Sequence, residues 1–167
     1  QADVFVFDRQ TQAVERVSVS TAGVQGNNES RLPSISADGR YVVFQSRAST
    51  LVAGDTNGQQ DIFVRDRLSN TTERVSVTDK PGVESNGPSE TPSISGDGRY
   101  VAYSSNANNL ITGFANGQQN IFIFDRVTTT TKGIVVPLGA FVGNRNAMNP
   151  AFSSDSSTVA FEFHTDK

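Results

Sequence analysis

Residues 33–46 read PSISADGRYVVFQS, and this stretch decides the fold because the chain repeats it. It returns as PSISGDGRYVAYSS from Pro92, identical at ten of fourteen positions, and in diverged form as PAFSSDSSTVAFEF from Pro150. The three starts are separated by 59 and then 58 residues. Recurrence at a nearly constant interval is the sequence signature of a repeat architecture.

A second phrase keeps the same interval: DVFVFDR from Asp3, DIFVRDR from Asp61 and NIFIFDR from Asn120. Apolar side chains fall on both faces of each phrase, as with Ile62 and Val64 on one face and Phe63 on the other. A strand with one face in water would alternate between apolar and polar residues. The phrase therefore predicts a strand that is buried on both faces.

One complete period predicts four antiparallel strands, at residues 33–36, 41–46, 61–67 and 72–77. We place Pro33 at the first position of its strand, where a missing N–H is tolerated. Repeated four-stranded sheets packed face to face are the blades of a β-propeller. A stacked solenoid, the competing repeat architecture, usually has a shorter period. The sequence therefore predicts an all-β propeller of four-stranded antiparallel blades.

The chain, residues 1–167, is interpreted as one propeller unit with three blades' worth of strands. Its repeats are residues 1–32 (partial), 33–91, 92–149 and 150–167 (partial). Propellers typically have about four to eight blades, so three are too few to close a ring. We expect a homodimer that closes a six-bladed ring, in which residues 151–163 of each chain complete the blade begun by residues 3–19 of the other. The alternative is that the chain is half of a longer polypeptide.

The phrase P-S-I-S-x-D-G-R-Y-V, followed by N-G-Q-Q-D-I-F-V-x-D-R, resembles the WD40-like PD40 repeats of bacterial TolB-type propeller proteins. The resemblance covers essentially the whole chain, although the additional α/β domain of TolB has no counterpart in it. It implies an adaptor or binding propeller, often exported, with no shared catalytic residues. We therefore expect a periplasmic or secreted location.

Composition excludes several classes of partner. The net charge is −3, and the 14 basic residues form no stripe or cluster, so we expect no nucleic-acid partner. The longest apolar runs are four or five residues, far short of a membrane span. The absence of cysteine excludes disulfides and thiolate metal sites.

The loop from Asp55 to Asp61, DTNGQQD, is the best candidate for a metal site. Oxygen ligands at alternate positions of a glycine-containing loop suit a hard cation. The sequence therefore predicts at most one weak Ca²⁺ site, at Asp55, Asn57 and Asp61, and no other cofactor. The alternative is a loop in which Asn and Asp side chains bond nearby backbone N–H groups. The counterpart at residues 114–120 lacks both carboxylates.

Three Asp-Arg pairs recur once per period, at Asp8-Arg9, Asp66-Arg67 and Asp125-Arg126. We expect these pairs to close the third strand of each blade and to contact neighbouring blades. Exposed ion pairs of this kind contribute little, about 0–1 kcal/mol each.

No catalytic constellation stands out. His164 is the only histidine and no G-x-S-x-G motif is present. The sequence therefore predicts a protein that is not an enzyme, a propeller that binds a protein, peptide or glycan through rim loops such as residues 47–60 and 78–91. The alternative is a hydrolase or lyase with a site at the mouth of the channel. It would use the first-strand serines: Ser34, Ser36, Ser93, Ser95 and Ser153.

Two further expectations concern apolar side chains outside the strands. Leu51, Val52 and Val83 are predicted to be exposed on the rim loops. The apolar segment at residues 137–143 would cover a blade edge or form part of a recognition surface.

Overall fold

A computed structural model describes residues 1–114, 118–134 and 145–165; the apolar segment at 137–143 lies outside these ranges. The regular elements of the described residues are twelve β-strands. They are β1 (Phe5–Phe7), β2 (Val14–Arg16), β3 (Ser30–Ile35), β4 (Tyr41–Ser46), β5 (Asp61–Asp66), β6 (Thr71–Arg74), β7 (Ser89–Ile94), β8 (Tyr100–Ser105), β9 (Asn120–Asp125), β10 (Thr130–Gly133), β11 (Arg145–Phe152) and β12 (Val159–Thr165).

The strands form four antiparallel sheets that follow one another along the chain. Two are complete, with the orders β3-β4-β5-β6 and β7-β8-β9-β10, and two have two strands each, β1-β2 and β11-β12. The first strands contact one another in sequence, β3 with β7 and β7 with β11. They therefore form the inner edge of an arc of blades. The prediction of an all-β propeller with four-stranded antiparallel blades is confirmed.

The apolar pattern of the third strand explains why neighbouring blades pack tightly. All six residues of β5 are buried. Ile62 and Val64 contribute to a core shared with the next blade, whereas Phe63 belongs to a separate core shared with the first blade. Phe63 stacks on Phe44 of the adjacent strand, with ring centroids 6.0 Å apart. Each blade therefore depends on both of its neighbours for the burial of its central strands.

The predicted start of the first strand is wrong. β3 begins at Ser30, and Pro33 lies inside it, where the register with β4 shifts between Arg31 and Ser34. Leu32 takes a positive φ of 50° at this irregularity. A bulge removes residues from the ladder of hydrogen bonds, which accommodates a proline without an N–H. The same device recurs at Thr91 and Asn149, each followed by proline.

The tight turn between the first two strands is built by its own side chains. Ser36 donates its hydroxyl to the Asp38 carboxylate at 2.6 Å, and the same carboxylate accepts the Arg40 N–H at 3.0 Å. The hydroxyl of Ser36 also accepts the N–H of Tyr41. Ser95 and Ser153 repeat the bond to an aspartate two residues on. Three of the five candidate catalytic serines are therefore turn-forming residues.

Within each complete blade, an arginine after this turn holds the end of the third strand. Arg40 pairs with Asp66 through two nitrogens, at 2.9 and 2.7 Å, and Arg99 pairs with Asp125 in the same way. Because Arg40 donates two hydrogen bonds to Asp66, the pKa of this carboxyl lies far below its usual range. The pairing therefore fixes the register between the second and third strands.

Between blades, the arginine that follows each of these aspartates contacts the preceding blade. Arg67 donates to Glu15 on β2 at 2.8 Å, and Arg126 donates to Glu73 on β6 at 2.7 Å. Arg126 also lies over the ring of Tyr41, 4.0 Å from its centroid. The expectation that the second and third Asp-Arg pairs close the third strand and contact a neighbouring blade is confirmed.

Two glycines at the same position of successive turns are expected to respond differently to alanine. Both have positive φ, 70° at Gly39 and 72° at Gly98, so either substitution introduces about 1–2 kcal/mol of backbone strain. A Cβ on Gly98 would also overlap the Tyr41 ring of the preceding blade, whereas one on Gly39 would meet only Arg67 Nη1 at 3.7 Å. Overpacking of this kind adds about 1–3 kcal/mol.

Urea unfolding of the two variants measures the difference. Gly98→Ala should lose more unfolding free energy than Gly39→Ala. Equal losses would show that the turn is strained in both variants but that the blades do not approach each other as described.

Candidate functional site

The three predicted metal ligands come together at one end of the second blade. Asp55 and Asn57 lie in the loop at residues 47–60, and Asp61 begins β5. Asn57 donates its amide to the Asp61 carboxylate at 3.0 Å. Asp55 and Asp61 are both buried. Sequence reasoning therefore identified a real side-chain cluster.

A guanidinium lies in the middle of this cluster. Arg74, at the end of β6, places Nη1 3.1 Å from Asp55, 3.4 Å from Asp61 and 2.8 Å from Glu84. Glu84 comes from the loop at residues 75–88 and accepts both the N–H and the hydroxyl of Thr56. Arg74 therefore ties two long loops to the end of the sheet.

Sequence reasoning missed Arg74 and Glu84, although the repeat contains a signal for Arg74. In the first blade Asp3, Arg16 and Ser18 occupy the same register as Asp61, Arg74 and Ser76. Ser18 and Ser76 both donate to the aspartate, at 2.8 and 2.6 Å. The Asp, Arg and Ser positions therefore recur together. Glu84 gives no such signal, because it reaches the cluster only through the path of its loop.

The cluster holds one arginine against three carboxyl groups, and the pKa values of two of them, Asp55 and Glu84, shift in opposite directions. Burial, together with the negative charge of Asp61, raises the pKa of Asp55 to about 6. The hydrogen bond from Thr56, together with that from Arg74, lowers the pKa of Glu84 to about 2. Near neutral pH, protonation of Asp55 is therefore the readiest way to reduce the excess of negative charge.

The geometry bears on both interpretations of the loop. Asn57 Oδ1 accepts the N–H of Gln59 at 2.8 Å, which is the backbone bonding expected of a loop without metal. Among the described residues, no group of three or more His, Cys, Asp or Glu side chains is arranged to hold a metal ion. The Ca²⁺ site at Asp55, Asn57 and Asp61 stays a prediction, and it requires Arg74 to move away.

The cluster belongs to a larger surface, which we call the long-loop end. It consists of the connections at residues 17–29, 47–60, 75–88 and 106–119, the last without 115–117. The opposite end, the tight-turn end, consists of the hairpin turns at residues 8–13, 36–40, 67–70, 95–99, 126–129 and 153–158. Alternation of strand direction places every long connection between described neighbouring strands on the same side.

Side chains join the long loops to one another. Asn27 bonds Ser49 and Thr50 across the first pair of loops. Asn86 bonds Asn108 at 2.6 Å and Asn109 at 3.0 Å across the next blade boundary. Together with the bond from Thr56 to Glu84, these contacts connect the described parts of the four long loops.

The apolar side chains of the long-loop end differ in how far they are exposed. The prediction that Leu51 is exposed is wrong, because it is 1% exposed and packs in the core beside Ala48. Val52 is partly buried against the same core, whereas Val83 is 46% exposed, as predicted. Loop 47–60 therefore uses its apolar residues for anchoring, and loop 75–88 presents one outward.

The remaining candidate catalytic residues have structural partners. Ser34 Oγ accepts the N–H of Ile94 and Ser93 Oγ accepts that of Phe152, so each links one first strand to the next. His164 lies on β12 and contacts Glu162 at 3.2 Å, both side chains being exposed. These residues do not form a nucleophile–base pair in the described part of the chain.

No protein-family model matches the chain, and no curated protein sequence matches it. Solved structures do. TolB from Acinetobacter baumannii is similar with a TM-score of 0.56 and 20% identity, over 95% of this chain and 31% of that one. A TolB-type protein from Agrobacterium tumefaciens gives 0.58 and 16%, over 98% of this chain and 51% of that one. Dipeptidyl peptidase 4 from Porphyromonas gingivalis gives 0.61 and 15%, over 98% and 25%.

The fold and these similarities show that the chain forms a β-propeller of TolB-like fold. The described residues form part of such a propeller. The chain spans between a quarter and about half of these proteins. Among the described residues no helix is long and apolar enough to cross a membrane.

One prediction needs correction. The sequence predicts that the protein is not an enzyme, yet the similar structures include dipeptidyl peptidase 4 and the tricorn protease. The similarity covers 25% and 13% of those chains. Propeller blades of this kind therefore occur within peptidases, and a lack of catalytic motifs in the blades does not exclude an enzyme.

The divergent pKa values predict opposite pH dependences for two isosteric substitutions. Since the folded-state pKa of Asp55 is raised to about 6, its contribution to stability is complete below about pH 4 and is lost as the pH rises through 6. Asp55→Asn should therefore gain stability relative to the parent between about pH 4 and 7. Since the pKa of Glu84 is lowered to about 2, Glu84→Gln should lose stability relative to the parent as the pH rises from about 2 to 4.5.

Urea unfolding of both variants and the parent across this pH range measures how the unfolding free energy of each variant, relative to the parent, changes with pH. A change in the same direction for both variants would contradict the described arrangement around Arg74.

Calcium binding is expected to compete with Arg74. Removal of one partner from a buried ion pair typically destabilises a protein by about 3–5 kcal/mol, so Arg74→Ala should unfold at a lower temperature than the parent. If the loop is a cation site, Ca²⁺ should restore more of the unfolding temperature in Arg74→Ala than it adds to the parent. Arg74→Met, which retains more of the packing, is a second variant for the same measurement.

Thermal unfolding with Ca²⁺ and with a chelator gives the comparison. If the unfolding midpoint is the same under both conditions in all three proteins, the predicted Ca²⁺ site is wrong.

Proposed function

We propose that this chain is the recognition part of a propeller protein and binds a polypeptide across its long-loop end. The observation that carries the proposal is the gathering of the long connections at this end, where side-chain hydrogen bonds join them. Binding residues commonly lie on loops held by a rigid scaffold. The tight-turn end consists of short hairpins, and its charged side chains largely form ion pairs within and between blades.

The joined loops favour binding because they are already ordered. A loop that must be immobilised on binding loses conformational entropy, which subtracts from affinity. Here Arg74 ties loops 47–60 and 75–88 to the sheet, and Asn86 ties the latter to loop 106–119. Ligand binding would therefore require little further ordering of these loops.

A polypeptide is the ligand class that the chemistry favours. Exposed Asn86 and Asn108, and the exposed hydroxyl groups of Ser49 and Thr50, can both donate and accept hydrogen bonds, as peptide backbone requires. Glycan sites commonly stack sugars on exposed aromatic rings, whereas Phe114 of the long-loop end packs against Phe122, and Tyr41 and Tyr100 begin β4 and β8 at the tight-turn end. The presence of a similar propeller in a dipeptidyl peptidase supports the same ligand class.

The proposal includes the finer assignments that the sequence resemblance implies. We assign the repeats to the PD40 type, and we infer that the protein acts outside the cytoplasm, in the periplasm or after secretion. The fold similarity to TolB supports these inferences. In this proposal the blades supply recognition, whatever chemistry the whole protein performs.

A matched pair of surface substitutions tests which end binds. Peptides selected on the chain from a random phage-displayed library would serve as probes. Val83→Ser, on the long-loop end, is expected to weaken binding of the selected peptides about tenfold, as loss of an apolar contact worth about 1.4 kcal/mol would do. Val127→Ser, at a 72% exposed valine on the tight-turn end, should leave binding unchanged.

Hydrogen exchange locates the same peptides independently of the substitutions. Protection should fall on residues 47–60 and 75–88. Protection confined to the tight-turn end, or a larger effect from Val127→Ser, would overturn the proposal.

A further inference from the structure

β6 is the outermost strand of the second blade, and one of its two edges faces away from the sheet. Hydrogen-bonded pairs alternate along an antiparallel ladder, so every second residue of an edge strand directs its backbone N–H and C=O outward. Val75, one residue past β6, donates its N–H to the carbonyl of Ile62. The alternation that starts from this bond turns the backbone of Thr72 outward.

A short segment of the preceding blade, which we call the clasp, closes this edge. Its residues are Val19, Ser20 and Thr21. The outward N–H of Thr72 donates to Thr21 Oγ1 at 3.0 Å, and the Thr72 hydroxyl donates to the carbonyl of Val19 at 2.6 Å. Arg65 Nη1 holds the clasp in place by donating to the carbonyl of Ser20 at 3.3 Å. The clasp therefore occupies the position where another strand would pair with β6.

β10, the outermost strand of the third blade, has no clasp in the part of the chain that the structure describes. Ile134 donates its N–H to the carbonyl of Ile121, so the alternation turns Thr131 and Gly133 outward. Thr131 is the counterpart of Thr72. No described residue bonds the outward N–H or C=O of Thr131 or Gly133. Both positions are therefore open to pairing.

Two differences in sequence explain why the third blade lacks a clasp. Asp79 has the position of Thr21 in the next period, and its carboxylate accepts the N–H and the hydroxyl of Thr112, at 2.8 and 3.1 Å. Phe124 has the position of Arg65 and offers no hydrogen-bond donor. Both blades have all four strands, so the difference between their outer edges arises from these side chains.

We propose that the outer edge of β10 is a polypeptide-binding site that pairs with an extended segment of a partner protein, with an acidic residue opposite Lys132. An open strand edge accepts another strand through main-chain hydrogen bonds, and alternate side chains of the added strand give specificity. Thr131 and Gly133 are two residues apart, which is the spacing at which a strand directs its N–H and C=O groups to one side. Pairing at this edge does not require binding at the long-loop end.

Charge selects an acidic partner. Lys132 is exposed and is the one charged residue of β10. Its counterpart on β6, Glu73, pairs with Arg126, whereas no described residue forms an ion pair with Lys132. Since Thr131 and Gly133 would form the hydrogen-bonded pairs, Lys132 would lie in the closer, non-hydrogen-bonded pair between them. A glutamate opposite Lys132 therefore favours pairing, and a lysine opposes it.

Residue-resolved hydrogen exchange, measured by NMR, tests the site with two synthetic peptides. The probe is Thr-Val-Glu-Val-Thr, blocked at both ends, and the control replaces its glutamate with lysine. Both read the same in either strand direction. In the free chain the amides of Thr131 and Gly133 should exchange fast, whereas those of Thr130 and Lys132, which donate to β9, should exchange slowly. The glutamate peptide should slow exchange at Thr131 and Gly133 severalfold, and the lysine peptide should not.

Two substitutions on β10 separate main-chain pairing from charge. Thr131→Pro removes an outward N–H without removing a bond to β9, a change that edge strands tolerate. It should abolish the protection of Gly133 by the glutamate peptide while the circular dichroism spectrum stays that of the parent. Lys132→Glu should reverse the preference, so that only the lysine peptide slows exchange. This second variant decides the result if Thr131→Pro does not fold.

A matched pair of variants tests the clasp. Thr21→Val keeps the shape of the side chain but removes the acceptor for the Thr72 N–H, so the Thr72 amide should exchange faster. Thr50→Val removes a hydroxyl that accepts a backbone N–H in another loop, and it should leave exchange at Thr72 unchanged. An equal rate at Thr72 in both variants would show that the clasp does not close the edge of β6.

Other outcomes would overturn the site on β10. Slow exchange at Thr131 and Gly133 in the free chain would show that the edge is already covered. A dimer that Lys132→Glu converts to a monomer, seen by light scattering, would show that a second copy occupies the edge. Peptide protection confined to residues 47–60 and 75–88 would contradict this site while supporting the proposed function of the long-loop end.

Discussion

Burial of the third strand on both faces is the constraint on which the rest of the structure depends. All six residues of β5 are buried, and its two faces belong to two different cores. A blade alone would expose one or both of these faces, so a single four-stranded sheet cannot be the stable unit. The arc is held together because each blade supplies half of the core that its neighbour needs. β1 shows the converse, since Phe5 and Phe7 are about half exposed, whereas Phe63, the counterpart of Phe5 on β5, is fully buried.

Polar contacts align the strands and blades that the apolar packing holds together. The serine–aspartate turns hold the first hairpin, and the paired arginine and aspartate set the register of the next two strands. Arg67 and Arg126 then reach back to the preceding blade. Because they are partly solvated, these ion pairs contribute less to stability than the cores do. Their main effect is to restrict how far one blade can slide past the next.

The long-loop end obtains its order by different means from the sheets. Arg74 supplies an internal positive charge to three carboxyl groups, and Asn side chains bridge the loops. An internal cation of this kind can take the place of a metal ion in ordering an acidic loop. Its presence links loop geometry to protonation of Asp55, whose pKa is raised by burial and by the neighbouring carboxylates. The similarity to propellers of both TolB and peptidase types is consistent with one scaffold that carries variable loops.

The sequence by itself determined the repeat, the strand content and the double-sided burial, because these depend on local periodicity and on side-chain type. It also identified Asp55, Asn57 and Asp61 as a cluster, because they are close along the chain. It misplaced Pro33 because a bulge depends on the register with the next strand. It missed Glu84 because only the path of the loop at residues 75–88 brings that residue back to Arg74. It described Leu51 as exposed because only the tertiary structure decides which loop residues fold back onto a core.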